Sequence, residues 1–186
     1  MRRRLIAATI DSLVDSGYTR TTTVEVCKRA GVTRGALAHH FASPSQLFAE
    51  ALKYLYADLA APGPPPPVDD ARRPRVLADW IDRVWAVVGK REFKAVIELW
   101  LAARNDPDVR GAIVRVVREF EPVFSPEHAR SAFGASTPRR SLATFYRVVI
   151  EALIGLSLGR AVTPKQDRGH VEDAVLTLLK RFAAEV

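Results

Sequence analysis

The chain has 186 residues, 28 Lys+Arg against 21 Asp+Glu, a net charge of +7 and one cysteine. That length allows one domain or two small ones, and 48% apolar with 26% charged residues is ordinary for a globular chain, which excludes wholesale disorder. The lone Cys27 excludes an internal disulfide framework and a cysteine-rich zinc site, and His39, His40, His128 and His170 contain no i,i+4 pair, so no metal site is expected. Residues 1–40 carry seven Lys/Arg and three acids, a net +4 that leaves only +3 for residues 41–186. A basic N-terminal quarter suggests a polyanionic partner, nucleic acid or an anionic membrane surface, with a solvated basic face as the plain alternative.

Helical periodicity dominates, and no strand-like alternation persists. The first helix is expected at about residues 3–16, with Ile6, Ile10, Leu13 and Val14 inward and Gly17 as its stop. Thr22 and Glu25 have capping-box spacing and start a short second helix with Val24, Cys27 and Ala30 as its apolar positions, ended by Gly31. A third begins after Thr33 and runs to about His40. Ser43 as N-cap, Pro44 at the first helical position and Gln46 as the second half of a capping box open a fourth, whose stripe is Leu47, Phe48, Ala51, Leu52, Leu55 and Leu59.

The run from Ala61 through four consecutive prolines to Val68 cannot be helical, because proline lacks the amide donor and clashes with the preceding turn. It reads as a stiff spacer. The expected division is therefore a domain at 1–60, a linker at 61–70 and a second domain at 71–186. Helices are expected at about 71–89, 91–105, 107–121, 138–160 and 168–184, with a short piece near 126–133. The segment 141–159 carries only Arg147 and Glu151 as charges and is apolar on two sides, so it must be covered on two sides. A membrane span would place both charges in a barely sufficient length. Burial against a second copy explains the pattern, with Val149, Leu153, Leu156, Val175 and Leu179 as interface residues; on that assignment Leu153→Arg gives monomers.

Two short helices separated by Gly31-Val32-Thr33 form a helix-turn-helix, with Leu37 anchoring the second helix. Arg34, Gly35, Ala36, Ala38, His39 and His40 are left to share its outward face. Small residues there allow close approach to a groove, and Arg34 and His39 can hydrogen-bond base edges or phosphates.

The ordered run Gly17-Tyr18, Thr22-Thr23-Val24-Glu25-Val26, Ala30 to Leu37, His39-His40-Phe41, Ser43 and Leu47 resembles the tetracycline-repressor (TetR) family over residues 4–60. The resemblance implies an all-α protein with an N-terminal DNA-binding domain and a C-terminal helical domain for effector binding and dimerisation. It implies DNA contacts from Thr22, Thr23, Thr33, Arg34, Gly35, Ala36, His39 and His40, with Phe41 packed beneath. Two positions depart from the family's habit: Ala38 replaces a common phosphate-contacting tyrosine, and Pro44 a common lysine. Arg2–Arg4 and Arg20 are available to compensate.

The second domain is looser in its resemblance. Trp80, Trp100, Phe120 and Tyr146 are candidates for an apolar effector pocket, with Glu98 and Arg104 as polar hooks, although Glu98 equally suits a surface pair with Lys94 or Arg104. The expectation is a cytoplasmic homodimeric repressor on a palindromic double-stranded operator, released by a small, largely apolar effector and needing no cofactor. Without a glycine-rich phosphate loop, metal-ligand spacing or a nucleophile beside a histidine, no enzyme is expected. The rival is a helical module that binds a protein or anionic lipid surface without sequence-specific DNA binding.

Overall fold

In the computed structural model the described residues are 1–60, 69, 71–120, 139–160 and 162–185. They form α1 (Arg2–Ser16), α2 (Thr23–Ala30), α3 (Arg34–His40), α4 (Pro44–Ala60) and α5 (Arg73–Val88). A 3-10 turn (Arg91–Phe93) leads into α6 (Lys94–Asn105), followed by α7 (Pro107–Phe120), α8 (Arg139–Gly159) and α9 (Lys165–Ala183). The described residues contain no strand. The all-α expectation holds. The proline run, Phe124 and the short piece expected near 126–133 lie outside the described residues.

The chain divides into two units: Met1–Asp58 with Arg91–Glu119, and Leu59–Lys90 with Phe120–Val186. Helices α6 and α7, placed in the second domain by their position after the proline run, thus pack with α1–α4. The cause is a set of small and branched side chains on α6. Ala95, Val96 and Leu99 are completely buried, and Ala102 nearly so. Along the same segment the apolar pattern of the sequence offers Phe93, Ile97, Trp100 and Leu101, of which Phe93 is buried and Leu101 is half exposed. Alanines on the inner face let α6 lie close against its neighbour, and the larger side chains turn outward.

In the first unit α1 supplies Leu5, Ile6, Ile10 and Leu13 to a core shared with Val26, Leu37, Phe41, Leu47, Phe48 and Leu52. Gly17 ends α1 at φ +77, a region that disfavours any side chain, and its Cα lies so near Glu98 that a Cβ would sit 3.1 Å from the carboxylate. Tyr18 follows: its amide donates to Glu98 Oε2 at 2.9 Å and its hydroxyl to Asp106 Oδ2 at 2.7 Å. Trp100 Nε1 donates to the Tyr56 hydroxyl at 3.1 Å.

Both tyrosines are held in their neutral form. Desolvation, aided by the hydrogen bond to Asp106, pushes Tyr18 up to about 12, and burial pushes Tyr56 up to about 12, with the Trp100 hydrogen bond opposing. Groups whose values rise on folding stabilise the fold fully below their unfolded value of about 10 and lose that contribution as pH climbs to about 12. Three tyrosines, these two and Tyr146, which burial in the second unit also raises, are therefore expected to ionise late in an ultraviolet titration, with the melting temperature falling as pH climbs through and beyond that window. Tyr56→Phe should flatten the fall; an unchanged alkaline profile in that variant would remove the assignment.

The second unit packs α5, α8 and α9 around Leu77, Ile81, Phe145, Val149 and Leu153, all fully buried. The aromatic candidates meet here: Trp80 stacks on Tyr146 at 4.3 Å, and Phe145 lies 5.5 Å from Phe182. Arg160 secures the end of α5. It pairs with Glu172 through two nitrogens, lies 4.4 Å above the Trp85 ring and donates to the Gly89 carbonyl, while Ser157 donates to the Val88 carbonyl at 2.8 Å. No helix among the described residues is long and apolar enough to cross a membrane.

Candidate nucleic-acid interface

The α2–α3 pair is built by local rules. The Thr22 hydroxyl accepts from the Glu25 amide at 3.2 Å, and the Thr33 hydroxyl from the Ala36 amide at 3.2 Å, so each helix starts on a threonine cap. The expected capping box at Thr22 is only half formed, because Glu25 turns its carboxylate to Arg29 at 2.8 Å instead. At the second box Gln46 reaches the Ala42 amide at 2.7 Å, one residue before the expected cap. Gly31 adopts the left-handed conformation at φ +60, which lets the Val32 amide return to the Cys27 carbonyl at 3.0 Å and close the turn. Arg4 reaches across from α1 to donate to the Ala30 carbonyl.

Val26, Cys27 and Ala30 bury the inner face of α2, and Val24, expected to be inward, is 58% exposed. The cap at Thr22 starts the helix so that its fourth, fifth and eighth positions, not its second, turn to the core. In α3 only Leu37 is buried. Arg34, Gly35, Ala38 and His39 are exposed, and Ala36 and His40 are half-buried. The two imidazoles meet edge to face at 5.4 Å, and His40 lies 6.4 Å from the Phe41 ring beneath it. Thr22 and Thr33 are exposed and Thr23 is half-buried at the start of α2.

Two features of this face are not used by the described residues themselves. Among the described residues no carboxylate pairs with Arg34 or Lys28, which leaves both cations open to solvent. A Cβ on Gly35 would meet only the Thr33 hydroxyl at 3.9 Å, so the chain's own packing does not demand glycine there. Glycine inside a helix costs about 1 kcal/mol relative to alanine. Of the nearby arginines, Arg2 is tied to Glu50 and lies 5.6 Å from the Phe41 ring centroid, and Arg20 Nε donates to the Ser16 carbonyl. With Arg4 on Ala30, Arg3 is the member of that group with no recorded partner among the described residues.

The candidate effector residues divide between the two units. Trp80, Phe120 and Tyr146 belong to the second unit, and Glu98, Trp100 and Arg104 to the first. Glu98 accepts from the Tyr18 amide through Oε2 rather than pairing with Lys94 or Arg104. Arg104 is exposed, and Trp100 is held by Tyr56. The described residues hold no cluster of His, Cys, Asp or Glu suited to a metal ion.

The expected interface residues differ in their burial within the chain. Val149 and Leu153 are completely buried within the chain and Leu179 nearly so, while Leu156 and Val175 are half-buried. The inward face of α8 is the one bearing Phe145, because that ring belongs to the aromatic cluster with Trp80 and Phe182. The apolar residues left outward are Val148 and Leu158 on α8 and Val171 and Leu178 on α9, from 43% to 61% exposed. Gly155 lies between the first two with open space above it.

Two capped helices joined by a tight glycine turn, the second exposing a basic face over a buried leucine, define a helix-turn-helix DNA-binding protein. Residues 5–51 match the family of bacterial regulatory proteins of the tetR type, and residues 68–183 match the tetracyclin repressor-like C-terminal domain. The chain belongs to the TetR family of transcriptional regulators. It is 25% identical over 181 residues to an uncharacterised helix-turn-helix transcriptional regulator of Mycobacterium tuberculosis, covering 95% of this chain and 90% of the relative. A TetR-family regulator from Mesorhizobium loti shares the fold at a TM-score of 0.67 and 15% identity, covering 99% of this chain and 91% of its own. The regulator FadR of Bacillus subtilis, solved with stearoyl-CoA, does so at 0.61 and 14%, covering 96% and 97%.

Proposed function

We propose that the protein is a homodimeric repressor that reads a palindromic operator through α3 and leaves it when a small, largely apolar effector binds the C-terminal unit. The observation that carries the reading is the outward face of α3, where unpaired Arg34 and unforced Gly35 suit close approach to a major groove. Thr22, Thr23, Thr33 and His40 supply hydroxyls and an imidazole for phosphates, His39 faces the groove with Arg34, and Ala36 leaves room beside them.

The uncovered strip of Val148, Leu158, Val171 and Leu178 supports a twofold partner, with the open Gly155 permitting close helix crossing. A twofold dimer presents two recognition helices to half-sites about 34–36 Å apart. The aromatic pair Trp80 and Tyr146 supports an apolar effector in the second unit, and FadR of Bacillus subtilis holds a long acyl ligand on the same fold. Such an effector acts by binding one conformation more tightly than the other.

Selection of genomic fragments by the purified protein, followed by footprinting, tests the reading directly. The expected result is a protected inverted repeat, bound with a steep salt dependence. Binding to anionic vesicles with no preference among DNA sequences would instead identify a surface-binding module.

A further inference from the structure

The helix-turn-helix is connected to the start of the α6 segment by a chain of charges that recognition of DNA does not itself require. Asp15, near the end of α1, uses its two carboxylate oxygens on two different guanidinium groups. Oδ2 accepts from Arg29 of α2 at 2.6 Å, and Oδ1 accepts from Arg91, the first residue of the 3-10 turn that leads into α6. Arg29 is itself bidentate, its Nε reaching Glu25 Oε1 at 2.8 Å. Glu25 is the residue whose amide the Thr22 hydroxyl caps. Arg91 also lies 3.8 Å from Asp11, one turn earlier on α1. The Arg29 hydrogen bond, followed by the charge of Arg91, holds the Asp15 carboxyl below the usual carboxylate range, so it stays charged through the neutral region.

Farther along, the same helix pair is fastened twice more. Glu98 accepts from the Tyr18 amide, and Asp106 accepts from the Tyr18 hydroxyl while its other oxygen caps the amides of Asp108 and Val109. The 91–106 segment is thus stitched along the C-terminal half of α1, and only the Asp15 stitch continues into α2. Exposed ion pairs add little to stability. A carboxylate divided between two rigid forks instead fixes direction, since neither guanidinium can swing without giving up one oxygen. The buried Val26, Cys27 and Ala30, with Arg4 on the Ala30 carbonyl, hold the inner side of the eight-residue α2, and the Asp15 tie adds a constraint on its exposed side.

We infer that Asp15 is a positioning residue for DNA recognition, holding α2 through Arg29 to Arg91 so that residues at the head of α6 set the angle at which α3 is presented. This rests on the DNA-binding reading above. Arg91 is the first residue of the first unit's second stretch, Arg91–Glu119, and is two ion pairs away from α2 through Asp15.

Asp15→Asn separates this role from a bystander's. It removes a negative charge from a basic domain, so simple electrostatics predicts equal or stronger binding to any DNA. The positioning role predicts the reverse for the selected operator alone: about 5- to 20-fold weaker, with random-sequence affinity unchanged or slightly raised. Arg91→Gln should weaken operator binding in the same sense, and adding it to Asp15→Asn should cost nothing further. A second measurement needs no DNA. Arg91→Gln should speed amide exchange in α2, residues 26–30, at an unchanged melting temperature. Operator affinity equal to or tighter than the parent's in Asp15→Asn, or α2 exchange indifferent to Arg91, overturns the inference. A parent protein that selects no DNA sequence sinks the functional reading instead, and the exchange experiment still decides whether Arg91 governs α2.

Discussion

Leu153→Arg is expected to unfold the second unit rather than release monomers, while Leu178→Arg leaves a folded chain that no longer dimerises. Leu153 is 0% exposed inside its own chain. Truncating such a leucine to alanine costs about 2–5 kcal/mol, and arginine adds the burial of an unpaired charge, against a total stability of about 5–15 kcal/mol. Leu178 is 61% exposed, so its replacement changes the stability of the isolated chain by about 0.5 kcal/mol or less. On the proposed interface its charge would be set against the partner's apolar surface in place of a leucine. Losing the second half-site contact should weaken operator binding by about 100-fold or more. Sedimentation, thermal melting and operator titration of the two variants check both halves. A dimeric, operator-binding Leu178→Arg protein would remove the α8–α9 strip from the interface, and a stable monomeric Leu153→Arg protein would contradict the placement of its side chain.

Arg34→Ala should reduce discrimination between operator and random DNA by about 1–3 kcal/mol, or about 5- to 150-fold, while melting is unaffected or slightly improved. The guanidinium is exposed at the first position of α3 with no partner among the described residues, so nothing internal depends on it. The reason for expecting base rather than phosphate contact is the company it keeps. Gly35 and Ala36 clear the space beside it, which brings the fork within reach of a base edge, where two parallel hydrogen bonds distinguish guanine. Equal loss on operator and random sequence would make Arg34 a phosphate contact and transfer the reading of sequence to His39.

The N-terminal elements were legible in the sequence because their determinants are local. Thr22, Gly31, Thr33 and Ser43 act on backbone groups within a few residues, and three or four such signals in order place α2, α3 and α4 almost to the residue. The exposed face of α3 follows from them, since only Leu37 among its seven residues asks to be buried. The partial failures there are also instructive. Glu25 left its capping role for Arg29, because a guanidinium already oriented by Asp15 is the stronger partner.

What the sequence determined by itself, then, was the helical class, the helix-turn-helix and the outward set from Arg34 to His40. The tertiary structure alone decided which side of a two-sided apolar helix faces inward. Val149 and Leu153 read no differently from Val148 and Leu158 along the chain, and the choice came from Phe145 joining Trp80 and Phe182, which lie 65 positions before it and 37 after it. It likewise decided that α6 belongs with α1, through alanines whose value lies in the close approach they permit, and that Glu98 serves the backbone of Tyr18. Periodicity reports that a face is apolar. Which partner covers it depends on contacts between residues far apart in the chain, and no local pattern records those.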